Sequence, residues 1–418
     1  MKTLSITSII IKGKSIEIGF RTSENLKKYF STTSFRVEYS EDVSKTPELL
    51  AILPFVCNVL PIVWITGAIL EVNEIDDDFM IGYPDILNGY RKMFPSFKFE
   101  GTICANKRVK NKIDRSHQIK SAAFFSGGVD AFATLIAHID QYPTLITLRG
   151  SDIALDDEIG WRIVKNHVLR TSSDFHLDNV FVRTNFRTFI NNKSLDKLVV
   201  KSGDCWWHGF QHGVGLIGHA APIVWKKKLS ILYIASSFTK NSQGKLTCAS
   251  DPTIDNNVKM AGCITIHDQY EYERIEKVRH IVEFVKETEI PIDLRVCWIT
   301  RGGRNCCKCE KCLRTMFEIF ALGEDPQKYG FNYSLKDLKK SQNRVLMGYN
   351  FINKPLWEEI QMKIKTDMAL TLPKEIEWVR NIDFEKERSK IGFKLLRACY
   401  AIQYMPIRII HKLRDWIK

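Results

Sequence analysis

The rhythm of hydrophobic positions changes near residue 120. Before that point, short runs in which apolar and polar residues alternate (SITSIIIKG, SIEIGF and FRVEYS) predict half-buried strands, and the amphipathic stretch DILNGYRKMF predicts a helix. These define a small N-terminal α+β domain over residues 1–115. Within it, Leu49 to Leu70 (LLAILPFVCNVLPIVWITGAIL) carries no charge and is long enough to cross a bilayer. Pro54 and Pro61 interrupt it and EVNEIDDD follows it, so it reads as a buried helix, turn and strand.

From Lys120 onward, apolar runs of strand length alternate with helical patterns. SAAFF precedes AFATLIAHI, PTLITL precedes DEIGWRIVKNHVLR, and NVFVRT precedes a polar stretch and GVGLIGHAAPIV. LSILYIAS, CITIH, the helix ERIEKVRHIVEFV and LRVCWIT complete the series. Such alternation predicts an α/β domain over residues 116–332, with helices on both faces of a parallel sheet and ligands at the carboxyl ends of its strands. Residues 333–418 read as a helical, basic C-terminal region ending in FKLLRACYAIQYMPIRIIHKLRDWIK. There is no internal repeat or low-complexity tract.

Composition changes this picture little: 44% hydrophobic and 26% charged residues in 418 describe an ordinary globular chain of two or three domains. Eleven cysteines with no obvious secretory leader point to a reducing cytoplasm, where disulfides are not expected. The net charge of +13 matters through its distribution. Residues 1–100 are slightly acidic, whereas 101–120 and 333–418 hold the excess of Lys and Arg, so a linker and a tail carry it.

Four cysteines carry the clearest chemistry. Cys297, Cys306, Cys309 and Cys312 follow C-x8-C-x2-C-x2-C, in which two hooks share a middle cysteine and a distant fourth closes a tetrahedral shell. A structural zinc is expected, with Cys307 out of register as a spare thiol. A second motif lies at the end of the first strand of the parallel sheet, where Ser126-Gly127-Gly128-Val129-Asp130 turns from strand into helix. Adjacent glycines let successive N–H groups face inward, and the helix adds its positive end, which makes an anion cradle. The turn itself has neither the P-loop pattern nor GxGxxG. Ser126 can donate to a phosphate oxygen; Asp130 can cap the helix or hold Mg2+.

SGGVDA resembles the SGGxDS signature of the PP-loop, or N-type, ATP pyrophosphatases, of the HUP-like nucleotide-binding fold. Their chemistry splits ATP to AMP and pyrophosphate while adenylating a carbonyl or carboxylate oxygen. The cysteine spacing is similar to the zinc site of the 7-cyano-7-deazaguanine synthases of queuosine-type pathways, and both motifs occur in the same order. The resemblance covers about residues 118–325. It implies ATP binding by Ser126, Gly127, Gly128, Val129 and Asp130, zinc ligation by the four cysteines, and a substrate contact by Arg314 in CEKCLRT. Ala131 stands where the signature has Ser or Thr, and ASDPTIDNN (249–257) replaces the synthase's usual segment, which leaves the deazaguanine substrate open.

Further candidates are weaker. His208 and His212, four apart in DCWWHGFQHGVGLIGH, could handle an acceptor or the proton of attacking ammonia; His219 follows, and a buried helix end explains all three equally. Asp251 and Asp255 could meet magnesium or a substrate hydroxyl, or simply form a turn beside Pro252. Arg149 could meet the nucleotide, and Arg301 and Arg304 an anionic substrate. The leading expectation is an ATP-dependent C–N ligase that activates a carboxylate or carbonyl of a small-molecule or nucleobase substrate for attack by ammonia or an amine. The alternatives are a tRNA-modifying enzyme using the basic segments, a surface-polysaccharide enzyme held on membrane by its C-terminal tail, and a nucleotide-binding protein without turnover. A protein acceptor and homo-oligomerisation both stay open.

Overall fold

The structure is a computed structural model that describes residues 2–111, 113, 119–297, 299, 303–350, 352–390 and 392–393. Its strands are β1 (Thr3–Lys12), β2 (Ser15–Thr22), β3 (Ser34–Tyr39), β4 (Ile69–Asp76), β5 (Thr102–Val109), β6 (Ser121–Phe124), β7 (Thr144–Arg149), β8 (Asn179–Thr184), β9 (Ile231–Ala235) and β10 (Ile264–Asp268). They form one mostly parallel sheet in the order β10-β9-β6-β7-β8-β3-β2-β1-β4-β5. β10, β9, β6, β7 and β8 are parallel, as the alternating strand and helix patterns require. The β1–β2 hairpin turns through Gly13 at φ +55°, and Ile16, Ile18 and Phe20 of β2 point alternately into the core.

The chain is divided differently from the three expected domains. β3 pairs antiparallel with β8, Val37 facing Thr184 and Tyr39 facing Val182, so residues 1–115 share a sheet and a core with the parallel half. An uncovered β8 would expose a row of unpaired backbone groups, and β3 satisfies them. Glu38 and Arg183 pair across this seam at 3.2 Å. The compact units are residues 1–304 and 305–418.

The apolar segment folds as read: the helix Leu53–Thr66 ends at Gly67 in the left-handed conformation and leads into β4. Nearly all of that helix is buried in the core of the first unit. Among the described residues no helix is long and apolar enough to cross a membrane. The basic stretch expected as a linker instead contributes β5, whose Lys107 and Arg108 pair with Glu74 at 3.1 Å and Asp77 at 2.7 Å. LRVCWIT also departs from expectation, because its described residues, 294–297 and 299, form no strand. That segment bonds to the loop after β6 instead.

The second unit is helical over its described residues. The helix Glu310–Phe320 packs Phe317 on Trp357 of Lys354–Thr366, and the Trp357 indole N–H donates to Glu310 at 3.0 Å. The terminal amphipathic tail, residues 394–418, lies outside the described residues.

His219 connects the seam to the core. It is fully buried, with one ring nitrogen 2.7 Å from the Gly215 carbonyl and the other 3.0 Å from the Thr184 hydroxyl. Burial holds its pKa down at about 4, against an ordinary 6.5. The unfolded chain therefore takes up this proton first, so the stability contribution is intact above pH 6.5 and is lost as pH falls toward 4. The loss amounts to about 3 kcal/mol for this one group. Calorimetric melting temperatures should fall across that window, and His219→Gln should flatten that part of the profile; an unchanged slope would assign the acid sensitivity to another group.

Candidate functional site

Numbered from β6, the parallel half runs 3-2-1-4-5 (β8-β7-β6-β9-β10), so the strand order reverses between β6 and β9. In open sheets of this kind the crevice lies outside the carboxyl ends of the strands at that reversal. The Ser126–Asp130 turn leaves β6 there and enters the helix Val129–Ala137. Gly127 has φ +76°, and a Cβ on it would stand 2.4 Å from Nε2 of His167, so the turn admits only glycine at this position. Ser126 is exposed, and its hydroxyl accepts the Gly128 N–H at 3.4 Å. The Leu294–Cys297 segment clamps the turn: Arg295 donates its backbone N–H to the Gly127 carbonyl at 2.6 Å and its Nε–H to the Ser126 carbonyl at 2.9 Å.

Asp130 faces two cations. Arg274 lies 3.2 Å away and Lys277 3.7 Å, both on the helix Arg274–Thr288. Lys277 is buried and also donates to the Ser236 carbonyl and hydroxyl, at 2.8 and 2.9 Å, just beyond β9. Burial pulls the Lys277 pKa below its ordinary value, and Asp130 opposes that shift. Asp130 thus ties the helix after β6 to the end of β9. Ala131 is buried.

The four sequence-predicted cysteines come together, with every Sγ of Cys297, Cys306, Cys309 and Cys312 within 4.8 Å of the others. Such a group can hold a metal ion such as zinc. A zinc–sulfur bond of about 2.3 Å implies sulfurs about 3.8 Å apart in a tetrahedron, and Cys306 and Cys312 stand 3.9 Å apart. The backbone is shaped for thiolates: Cys306 Sγ accepts N–H groups from Lys308 and Cys309 at 3.4 and 3.2 Å, and Cys309 Sγ accepts that of Cys312 at 3.4 Å. Cys309 is also the N-cap of Glu310–Phe320, where a helix terminus favours negative charge. Cys307 turns the chain at φ +53° and does not belong to the group.

Several other candidates serve the fold. Arg149 is buried, bonded to Glu158 and to the Leu155 carbonyl at 2.6 Å, and stacked near Trp161. Asp251 caps the short helix Pro252–Asp255 by accepting the Thr253 N–H. Asp255 is fully buried between Ser250 and His267, each at 2.8 Å, and burial raises its pKa. Arg314 pairs with Glu310 at 3.2 Å and is buried. Arg304 is exposed, and Arg301 lies outside the described residues.

His208 and His212, in contrast, converge on a residue the sequence did not single out. They lie in and just after a π-helical turn, Trp207–Gln211, a distortion that recurs at functional sites. His212 Nδ1 is 3.6 Å from the sulfur of Cys248, in the loop after β9. His208 meets the same thiol, and its Nδ1 is held by Asp204 at 2.8 Å; Asp204 also accepts the Thr247 hydroxyl at 2.9 Å. The His208 ring packs on Phe238, two residues beyond the Ser236 that Lys277 grips, which puts the cluster on the crevice side of β9. Asp204, His208 and His212 repeat every four residues, and that spacing was the available signal; Cys248 in LTCAS offered none.

Compared with protein-family models, with curated proteins and with solved structures, the chain finds no significant match.

Elemental analysis should find about one zinc per purified chain. Cys309→Ser removes one thiolate while its hydroxyl can still cap the helix, so it should lose the metal and the stability the metal supplies; full zinc retention by this variant would sink the assignment.

Proposed function

We propose that the chain is a PP-loop-type, ATP-dependent adenylating ligase, similar to the 7-cyano-7-deazaguanine synthases, that joins an amine nitrogen to an activated carboxylate. The supporting observation is the position of SGGVD at the carboxyl end of β6, at the reversal of a 3-2-1-4-5 sheet, with the four-cysteine group following it in the same chain order. In this reading the backbone N–H groups at the start of Val129–Ala137 and the Ser126 hydroxyl receive the β- and γ-phosphates of ATP. A carboxylate oxygen attacks the α-phosphorus, the bond to the bridging oxygen breaks, and pyrophosphate leaves into the cradle with the electron pair. The acyl group is then transferred to the amine nitrogen, and AMP departs.

Arg295 beside the turn supplies positive charge, and Asp130 positions Arg274 and Lys277. Magnesium fits as an ion brought by the phosphates. Asp130 already faces two side-chain cations, and among the described residues the four-cysteine set is the one cluster of metal-ligating type. The zinc is structural, because four thiolates leave no open position. Neither the tRNA nor the membrane reading gains an observation: Lys107 and Arg108 are paired within the sheet, and the tail lies outside the described residues.

Zinc-loaded protein given ATP, magnesium, ammonium and 7-carboxy-7-deazaguanine should release AMP and pyrophosphate, and omitting the carboxylate should stop it. Ser126→Ala, at an exposed position, should lower kcat by about 100-fold without changing the melting temperature. ATP binding without any AMP would instead favour a nucleotide-binding protein without turnover.

A further inference from the structure

We propose that Cys248 is a nucleophilic thiolate, paired with His208 and His212 and oriented through Asp204, and that it takes the acyl group from the adenylate as a thioester before the amine receives it. This rests on the adenylating reading above. The geometry is that of an activated nucleophile with a base and an orienting third group: Asp204 to His208 at 2.8 Å, and His212 to the Cys248 sulfur at 3.6 Å. The sulfur also accepts the Ser250 N–H at 3.4 Å, a bond that favours the anion. Cys248 itself is 3% exposed, while the side chain of His208 is 34% exposed and reaches solvent. A second metal is a poorer reading, since these side chains do not close into a metal-sized group whereas the four zinc-type cysteines do.

Two imidazoles favour an ionised sulfur, against burial. Burial alone would push the thiol up, but the hydrogen bonds from His208 and His212 outweigh it and hold Cys248 at about 6. Burial alone would pull His208 down, but Asp204 and Cys248 outweigh that and hold it at about 10. Asp255 and Tyr90 are the other ionisable groups close by; Asp255 is occupied by His267 and Ser250, and Tyr90 donates to the Phe210 carbonyl. Between those two values the pair is therefore a thiolate and an imidazolium.

The step balances without oxidant or reductant. The sulfur attacks the acyl carbon of the adenylate, a C–S bond forms, the C–O bond to phosphate breaks, and AMP leaves with the electron pair. The amine nitrogen then attacks the thioester carbon, the C–S bond breaks and the thiolate is restored. The His212 ring beside the sulfur accepts the proton released by the nitrogen.

The test uses the full chain and an acyl donor that needs no ATP, p-nitrophenyl acetate. Wild type should give a burst of about one equivalent of p-nitrophenolate with an acetyl group on the Cys248 peptide, with the burst rate rising through a midpoint near pH 6, where the thiol ionises. Cys248→Ser should lose the burst. Asp204→Asn should slow it by about 10-fold or more and move the midpoint upward, a shift that a packing role would not produce. The ultraviolet thiolate absorbance of wild type minus Cys248→Ser reads the same titration without requiring the probe to enter. A burst surviving in Cys248→Ser, or a thiol titrating in the ordinary cysteine range, overturns the proposal. With ATP and 7-carboxy-7-deazaguanine, AMP and amide formed equally fast by Cys248→Ser would overturn the thioester and leave the ligase standing. Absence of AMP from wild type would overturn the ligase, and acetyl transfer alone would then decide Cys248.

Discussion

A single buried amide holds the crevice side of the first unit to its scaffold. Asn58, in the otherwise largely apolar helix Leu53–Thr66, donates from Nδ2 to the carbonyls of Pro54 and Gly215 at 2.8 and 3.0 Å. Its Oδ1 accepts from Gln211, whose amide also reaches the Phe186 carbonyl at 2.9 Å. Both side chains are fully buried, so each of these bonds is made in a medium where leaving a partner unmade costs about 1–3 kcal/mol. The network fixes the π-helical turn from three directions: the N-terminal helix, the exit from β8, and the helix that follows the turn. Tyr90 adds a fourth tie by donating to the Phe210 carbonyl at 2.7 Å. The N-terminal elements, which carry no readable chemistry of their own, are thus the frame on which His208 and His212 are presented.

That dependence explains what could be read from the chain and what could not. The parallel strands and their helices were legible because each is set by a local period, and the four-cysteine group because its hooks close over three residues. The union of residues 1–115 with the parallel half was not, because it rests on β3 meeting β8 across more than 140 positions of sequence, with Glu38 and Arg183 as its plainest mark. β5 was hidden for a related reason: TICANKRV looks like a linker until Glu74 and Asp77 are seen opposite its cations. Lys and Arg on an outermost strand also discourage further pairing, so charge here protects an edge. Arg149 shows the converse, since its partner Glu158 stands only nine residues away yet no periodicity links a strand end to the start of a helix.

The candidate sites divide along the same line. Ser126 to Asp130 form a contiguous motif whose geometry follows from two glycines and a helix start, so sequence reached it. The Cys248 cluster is assembled from the turn before one helix and the loop after β9, and only the four-residue spacing of its acid and imidazoles was visible. Close approach completes the assembly: a Cβ on Gly213 would stand 2.2 Å from the buried Asp255 carboxylate, so glycine is required for the helix after the π-turn to lie against the loop bearing Cys248 and Ser250. The glycines of GVGLIGH therefore belong to packing, although the run reads as an ordinary apolar helix.

At the β6 turn, Asp130 is engaged with two side-chain cations. Lys277 is almost wholly buried, and an unpaired ammonium there would lose its proton before it lost its solvation entirely. Asp130 opposes that loss, as Asp268 does, and holds Arg274 beside it, while Arg295 bonds to the turn and feels Asp152. The positive end of the helix Val129–Ala137 lies at the same turn. The exposed Ser126 hydroxyl stands at that same turn. In the proposed reading, an anion bound at the turn would meet cations that Asp130 already holds in place, the arrangement electrostatic preorganisation calls for.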